Sequence, residues 1–185
     1  MLELERWHFT VDDFHRMVEA GLFTDDDRVE LINGELVAMS PTGSRHSGCV
    51  TALTTLFAPL LVQRAALLSV QGPLRLNERN ELYPDLLLLR PRDDDYRLAL
   101  PGPGDVFLLI EVSETTLRLD REVKVPLYAE AGVPEVWVVD LTGGRLLVHR
   151  DPVQGEYSVH PVRRGQSIAP AAFSDLQLSI DGILG

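Results

Sequence analysis

The chain has 185 residues, 45% of them hydrophobic and 24% charged, which is enough length and apolar content for a single domain over residues 1–185 with a proper core. A formal net charge of −11 at pH 7 argues against broad, avid coating of nucleic acid through a basic face, though it leaves room for a local basic groove. Residues 1–7 are charged rather than apolar, no apolar run nears the roughly 18 residues of a membrane helix, and Cys49 is the lone cysteine; a cytoplasmic protein without disulfides or a membrane partner is expected.

Thr10 offers a hydroxyl cap to a helix whose first turn carries Asp12 and Asp13, where carboxylates suit the helix dipole. Phe14, Met17 and Val18 give this helix one apolar face, and Gly21 closes it. Asp25-Asp26-Asp27, like Asp93-Asp94-Asp95 further on, reads as solvated loop. Residues 28–32 and 35–39 flank Asn33-Gly34, the strongest short hairpin signal, because both turn positions tolerate positive φ. Ser40-Pro41-Thr42-Gly43 breaks the second strand. Val50, Leu53, Leu56, Phe57, Leu60 and Leu61 recur at helical spacing, which predicts a helix over residues 44–64 with Pro59 as a kink point. Cys49 sits within that pattern as a small core residue rather than a nucleophile.

Residues 67–76 read as one strand, Asn77-Glu78-Arg79-Asn80 as a turn, and residues 82–89 as the next strand. Residues 91–104 form a long polar loop. Residues 107–112 show no polar alternation, which predicts a strand at the centre of a sheet. Leu119, Val123, Leu127 and Ala131 share a helical face ended by Gly132-Val133-Pro134, and Pro126 predicts a kinked or late first turn. Residues 136–140 are another buried strand, joined through Thr142-Gly143-Gly144 to a hairpin partner at 145–150. Residues 156–162 give a last exposed strand, and the tail from Ala171 reads as short helix or coil. The order predicts an α/β fold: a mixed sheet flanked by helices, with an N-terminal helix and β-hairpin.

Of the 17 basic residues only Lys124 is a lysine. A guanidinium is planar and never loses its proton, whereas an ammonium is a compact point charge that can approach a single oxygen or water, so this position selects that difference. Ahead of it, Asp85 and Glu111 each stand at one end of an apolar run and read as charges carried to the rim of a buried strand. Two carboxylates brought close repel unless a cation sits between them, and oxygen-only donors suit Mg²⁺ or Mn²⁺. Such a metal activates water against a phosphoryl group, and Lys124 would hold that water or the charge developing at phosphorus. No His/Cys spacing for zinc, no Gly-rich phosphate loop and no Gly-x-Ser-x-Gly elbow is present.

Pro84-Asp85, Glu111-Val112-Ser113, Asp120 with Lys124, and the run Tyr128-Ala129-Glu130-Ala131-Gly132-Val133-Pro134-Glu135-Val136-Trp137-Val138-Val139-Asp140 resemble the Uma-two family of restriction endonuclease-like nucleases, a branch of the PD-(D/E)xK superfamily. Val29-Glu30-Leu31-Ile32-Asn33-Gly34-Glu35-Leu36 and the segment from Ser40-Pro41 to His46 are similar to that family's opening motif. The resemblance implies a restriction-endonuclease-like mixed β-sheet and an Mg²⁺- or Mn²⁺-dependent endonuclease that hydrolyses DNA phosphodiesters with metal-activated water. It implies Asp85 and Glu111 as ligands with the Val112 carbonyl as a third, Lys124 as the migrated lysine of the motif, Glu30 as an extra ligand or proton acceptor, and His46 as a phosphate contact. Where the usual motif has its lysine, two residues after the acid, this chain has Ser113. A homodimer is expected, because a duplex has two strands to cut.

Each of these residues also has a plainer role open to it. Asp120 and Lys124 at i,i+4 would form a surface ion pair, Asp85 after Pro84 would cap a turn, and Glu30 would face solvent from a hairpin strand. His46 would be a helix cap or a satisfied core residue, and Tyr128 and Trp137 would be core. Glu111 at the end of an apolar strand has no structural role unless it meets a buried cation. The alternatives to an active nuclease are a catalytically silent nucleic-acid- or partner-binding module of the same fold, and an acidic interaction protein whose carboxylates are structural. Arg75, Arg79, Arg90, Arg92, Arg97, Arg118 and Arg121 flank the site segments and would supply a local basic rim for DNA.

Overall fold

The computed structural model describes residues 6–24 and 27–185; residues 1–5 of the charged opening, and Asp25 and Asp26 of the first acidic run, lie outside the described residues. Helix α1 (Val11–Glu19) opens with a reciprocal cap, in which Thr10 Oγ1 accepts the Asp13 N–H at 3.1 Å and Asp13 Oδ2 accepts the Thr10 N–H at 2.9 Å. Val11 and Phe14 are buried, but Val18, expected beside them, is 50% exposed because its side of the helix borders an open cleft instead of core. β1 (Val29–Ile32) and β2 (Glu35–Ala38) form the expected hairpin, with Asn33 and Gly34 at φ of 52° and 77°. α2 (Ser44–Val62) passes through Pro59 as one helix and buries Cys49, Leu53, Phe57 and Leu60 on one stripe.

The two long strands expected before residue 90 are each divided in two. Residues 67–76 become β3 (Leu67–Val70) and β4 (Leu74–Asn77), separated where Gln71 takes a left-handed φ of 51° and Pro73 offers no donor. Residues 82–89 are divided at Tyr83-Pro84-Asp85 between β5 (Asn80–Leu82), which also takes in Asn80 from the expected turn, and β6 (Leu86–Leu89). The chain thereby leaves one sheet after β3, makes the hairpin β4–β5 in another, and returns at β6. The smaller sheet has the order β2-β1-β5-β4; the main one, β10-β9-β8-β7-β6-β3. Asp85 stands at the point of return.

β7 (Val106–Ser113) and β8 (Glu135–Asp140) are buried along almost their whole length, as strands covered on both faces must be. They pair in parallel within an otherwise antiparallel sheet, so a crossover has to join them. That crossover is α3 (Leu117–Leu119), a π-helical turn at Asp120–Lys124, and α4 (Val125–Glu130). Pro126 follows the π turn, in which the Val125 N–H reaches back to the Asp120 carbonyl; the expected irregularity takes the form of a widened turn rather than a late start. β9 (Arg145–Val153) and the exposed edge strand β10 (Glu156–Arg163) complete the sheet, with Pro161 tolerated on that edge.

Alternation along the strands divides the core into two layers. Leu86, Leu88, Leu108, Ile110, Trp137 and Val139 face α2. Leu87, Leu89, Leu109, Val136 and Val138 face Leu127 and Tyr128 of α4. The tail, expected as helix or coil, adds a short ladder between β11 (Ser167–Ile168) and β12 (Leu178–Ser179) before α5 (Ile180–Leu184) buries Ile180 and Ile183 against the first layer. Buried Glu135 anchors this tail: it accepts the Trp137 indole N–H, the Arg150 guanidinium and the Ala171 N–H, each at 2.7 Å. Among the described residues no helix is long and apolar enough to cross a membrane.

Candidate active site

The period of two that sends Leu109 toward α4 sends Glu111 the same way, while Val112 turns to the α2 layer. Glu111 therefore meets α4 and the π turn, whose widened geometry carries Lys124 inward rather than into solvent. Lys124 is 5% exposed, Glu111 3% and Glu30 2%. Lys124 Nζ donates to Glu30 Oε1 at 2.9 Å and lies 3.5 Å from Glu111 Oε1. Tyr128, one turn further along α4, donates its hydroxyl to Glu111 Oε1 at 2.6 Å. Glu30 reaches the cluster from β1 and also accepts the Tyr83 N–H at 2.9 Å, so it faces the interior and not the solvent.

Asp85 joins the same cleft from the start of β6. Its Oδ2 accepts the Val112 N–H at 2.8 Å, which fixes the carboxylate against the backbone of β7. Its Oδ1 lies 3.0 Å from His46 Nε2 and accepts the Gln71 amide at 3.3 Å. His46 neither caps its helix nor sits as a satisfied core residue: Nε2 meets Asp85, and Nδ1 is buried with no hydrogen-bond partner among the described residues. Asp120 departs from the expected surface pair as well. It is buried and accepts the hydroxyls of Ser113 at 2.7 Å and Thr116 at 2.6 Å, leaving Lys124 to Glu30 and Glu111.

Electrostatics within the cluster follow from burial and crowding. Burial pushes the Glu111 carboxyl well above its ordinary value, with the Lys124 ammonium opposing it. Burial works against the charge on Lys124, but Glu111, Glu30 and Asp120 outweigh it and hold the ammonium above its usual range. The hydrogen bond to Asp85 raises His46 despite the burial of its ring. Cys49 is no nucleophile here, since burial pushes its thiol up to about 12 and Sγ donates to the Ile183 carbonyl at 3.2 Å.

These groups line a cleft of about 250 Å³ in which Glu30, Asp85, Glu111, Glu114 and Asp120 face Lys124, His46 and Arg28. The seven arginines expected as a basic rim are not among its walls. Arg75 pairs with Asp12, Arg92 with Asp94, Arg97 with Asp95 and Arg118 with Glu122, while Arg90 lies over the Phe107 ring. The arginine in the cleft wall is Arg28, which precedes the hairpin and which sequence reasoning passed over. Tyr128 was legible only as core; its place four residues after Lys124 was the signal that it shares that side of the helix.

Among the described residues no three His, Cys, Asp or Glu side chains form a ready cage for a metal ion. Asp85, Glu111 and Val112 do line one cleft with an excess of acids, where two carboxylates and a main-chain carbonyl would offer oxygen donors alone. That suits a hard divalent cation that keeps part of its water shell.

Comparison with known proteins agrees with this architecture. A crystal structure of a putative nuclease belonging to DUF820 from Anabaena variabilis ATCC 29413 matches with a TM-score of 0.74 and 18% identity, covering 95% of this chain and 97% of that one. The fold is thus restriction-endonuclease-like: a mixed sheet flanked by helices with an N-terminal helix and hairpin. No curated protein matched the sequence. The profile of the Uma2 family, described as a putative restriction endonuclease, matches residues 11–181, and the chain belongs to that family.

Proposed function

We propose that the protein is a metal-dependent endonuclease that hydrolyses DNA phosphodiester bonds, with Asp85, Glu111 and the Val112 carbonyl as ligands of Mg²⁺ or Mn²⁺. The observation that carries this reading is the buried Lys124 ammonium, 3.5 Å from Glu111 and in the cleft that Asp85 lines. A divalent cation bound there polarises a phosphoryl oxygen and lowers the pKa of water to make a nucleophile near neutral pH.

The side chains of this chain do the positioning. Glu111 engages Tyr128 and Lys124 through Oε1, which leaves Oε2 available to a ligand. Asp85 is aimed by the Val112 N–H, His46 and Gln71. Lys124, oriented by Glu30, donates to the attacking water or to the charge that develops at phosphorus, where a fixed ammonium in a water-poor site is most effective. Glu30 acts through Lys124 as a positioning residue. His46 supports Asp85, and protonated it would also attract phosphate. Two copies of the chain acting together would address both strands of a duplex; analytical ultracentrifugation with and without duplex measures this.

The test is a titration with Mn²⁺ followed by calorimetry, alongside cleavage of plasmid and single-stranded DNA. Wild type should bind the ion and cut; Asp85→Ala should lose both, and Lys124→Ala should lose cutting while retaining the ion. An absence of Mn²⁺ binding, or cleavage undiminished in both variants, would overturn the proposal.

A further inference from the structure

A second cleft, of about 410 Å³, opens beside the carboxylate cleft and is larger than it. The two share Arg28, Met39 and Tyr83, so one wall separates and joins them. Their linings differ in kind. The first is ringed by carboxylates, whereas the second has a single carboxylate, Asp27, with Thr24 beside Phe14, Val18, Phe23, Val29, Met39 and Tyr83.

Buried Phe14 braces the half-buried Phe23 edge to face with centroids 5.9 Å apart, which fixes Phe23 as the aromatic wall of the cleft. Tyr83 is held from both ends. Its N–H is bound by Glu30, and its hydroxyl donates at 3.3 Å to Glu81, a fully buried carboxylate that also lies 2.8 Å from His15 Nε2. A buried acid with no part in the carboxylate cleft thus serves to fix one ring of the second cleft. Gln71 bridges the two spaces, since it lines the second cleft while its amide donates to Asp85.

We propose that this second cleft is a nucleobase subsite: an unstacked base of the substrate strand inserts between the aromatic wall and Tyr83, while its phosphate crosses Arg28 into the carboxylate cleft. The identity of the strand rests on the nuclease reading. A base has two apolar π faces that stack on such rings, and a polar edge that Gln71 can meet. A guanidinium at the seam suits the phosphate joining base and scissile bond. A double-stranded end or mismatch would yield its base more readily than a continuous helix, because unstacking is least costly there.

The experiment walks a single 2-aminopurine along a ten-nucleotide single strand and records its fluorescence on binding wild-type protein in Ca²⁺, with an abasic residue at each position as control. At one position fluorescence should fall on binding, and the abasic control there should bind about ten-fold more weakly. Phe23→Ala, outside the carboxylate cleft, should lose both effects. Equal affinity for the abasic strands, or quenching unchanged in Phe23→Ala, would overturn the subsite, and the wild-type abasic comparison decides the matter if that variant fails to fold. Cleavage of the same strands in Mn²⁺ separates the two proposals: cutting without quenching removes the subsite alone, quenching without cutting removes hydrolysis alone, and no association removes both.

Discussion

Replacing Lys124 with methionine keeps the volume of the side chain and removes its charge, which isolates what the ammonium does for the fold. At an effective dielectric of about 20, the attraction is about 6 kcal/mol to Glu30 at 2.9 Å and about 5 kcal/mol to Glu111 at 3.5 Å. Dehydrating the ammonium offsets several kcal/mol of this, and the expected net loss in Lys124→Met is about 3–5 kcal/mol, the usual cost of stranding a buried charge. The loss should depend on pH in a definite sense. Glu111 already holds its proton more tightly than an exposed glutamate, and Lys124 is the group that opposes this. Without Lys124 the folded protein therefore takes up a proton at pH values where the unfolded chain, with its carboxyl near about 4.3, does not. Stability lost at high pH is regained as pH falls, by up to about 1.4 kcal/mol per unit for one proton. Urea melts followed by circular dichroism at about pH 8 and about pH 5.5 read both numbers. A variant as stable as wild type at both pH values would refute the reasoning, since it would mean that Glu30 and Glu111 do not need the charge.

Tyr128→Phe removes the hydroxyl that meets Glu111 at 2.6 Å, and should cost about 1–3 kcal/mol in the same melts. Burial holds His149 below its ordinary value, so as pH drops through about 6.5 the unfolded chain is protonated first and the fold loses stability. His149→Phe should abolish that component, and the wild-type curve should descend relative to the variant's by up to about 1.4 kcal/mol per unit below that pH. Thr10→Ala breaks the reciprocal cap of α1 and should lower stability by about 1 kcal/mol, measured by denaturant midpoint. Leu53→Ala, at a fully buried position of α2, should cost about 2–5 kcal/mol on the same scale.

Asp85, Glu111 and Lys124 were legible because each is a charge out of keeping with its surroundings: two acids at the rims of apolar strands, and a lysine in a chain of arginines. Glu30 was readable as a candidate but not as a partner of Lys124, because the two lie 94 residues apart and only the packing of the hairpin against the crossover joins them. The surface pair expected between Asp120 and Lys124 rests on regular helical spacing, and the π turn removes that regularity. The divided strands at Gln71 and at Tyr83-Pro84-Asp85 escaped detection for a similar reason. Apolar runs report burial but not which of two sheets a segment joins, and a left-handed glutamine has no sequence signal as strong as glycine. Arg28 depends on side-chain direction, which periodicity does not resolve.

The bond from Lys124 to Glu30 ties the crossover of the large sheet to a strand of the small one. It works as a clasp: prising the sheets apart would break this buried ion pair, while Lys124 and Tyr128 would stay with Glu111 on the side of the large sheet. Opening along that seam is therefore disfavoured. On the nuclease proposal, a strand entering a cleft held in this way would have to bend, fray or unpair to fit. Discrimination among nucleic acids would then follow from how easily each deforms.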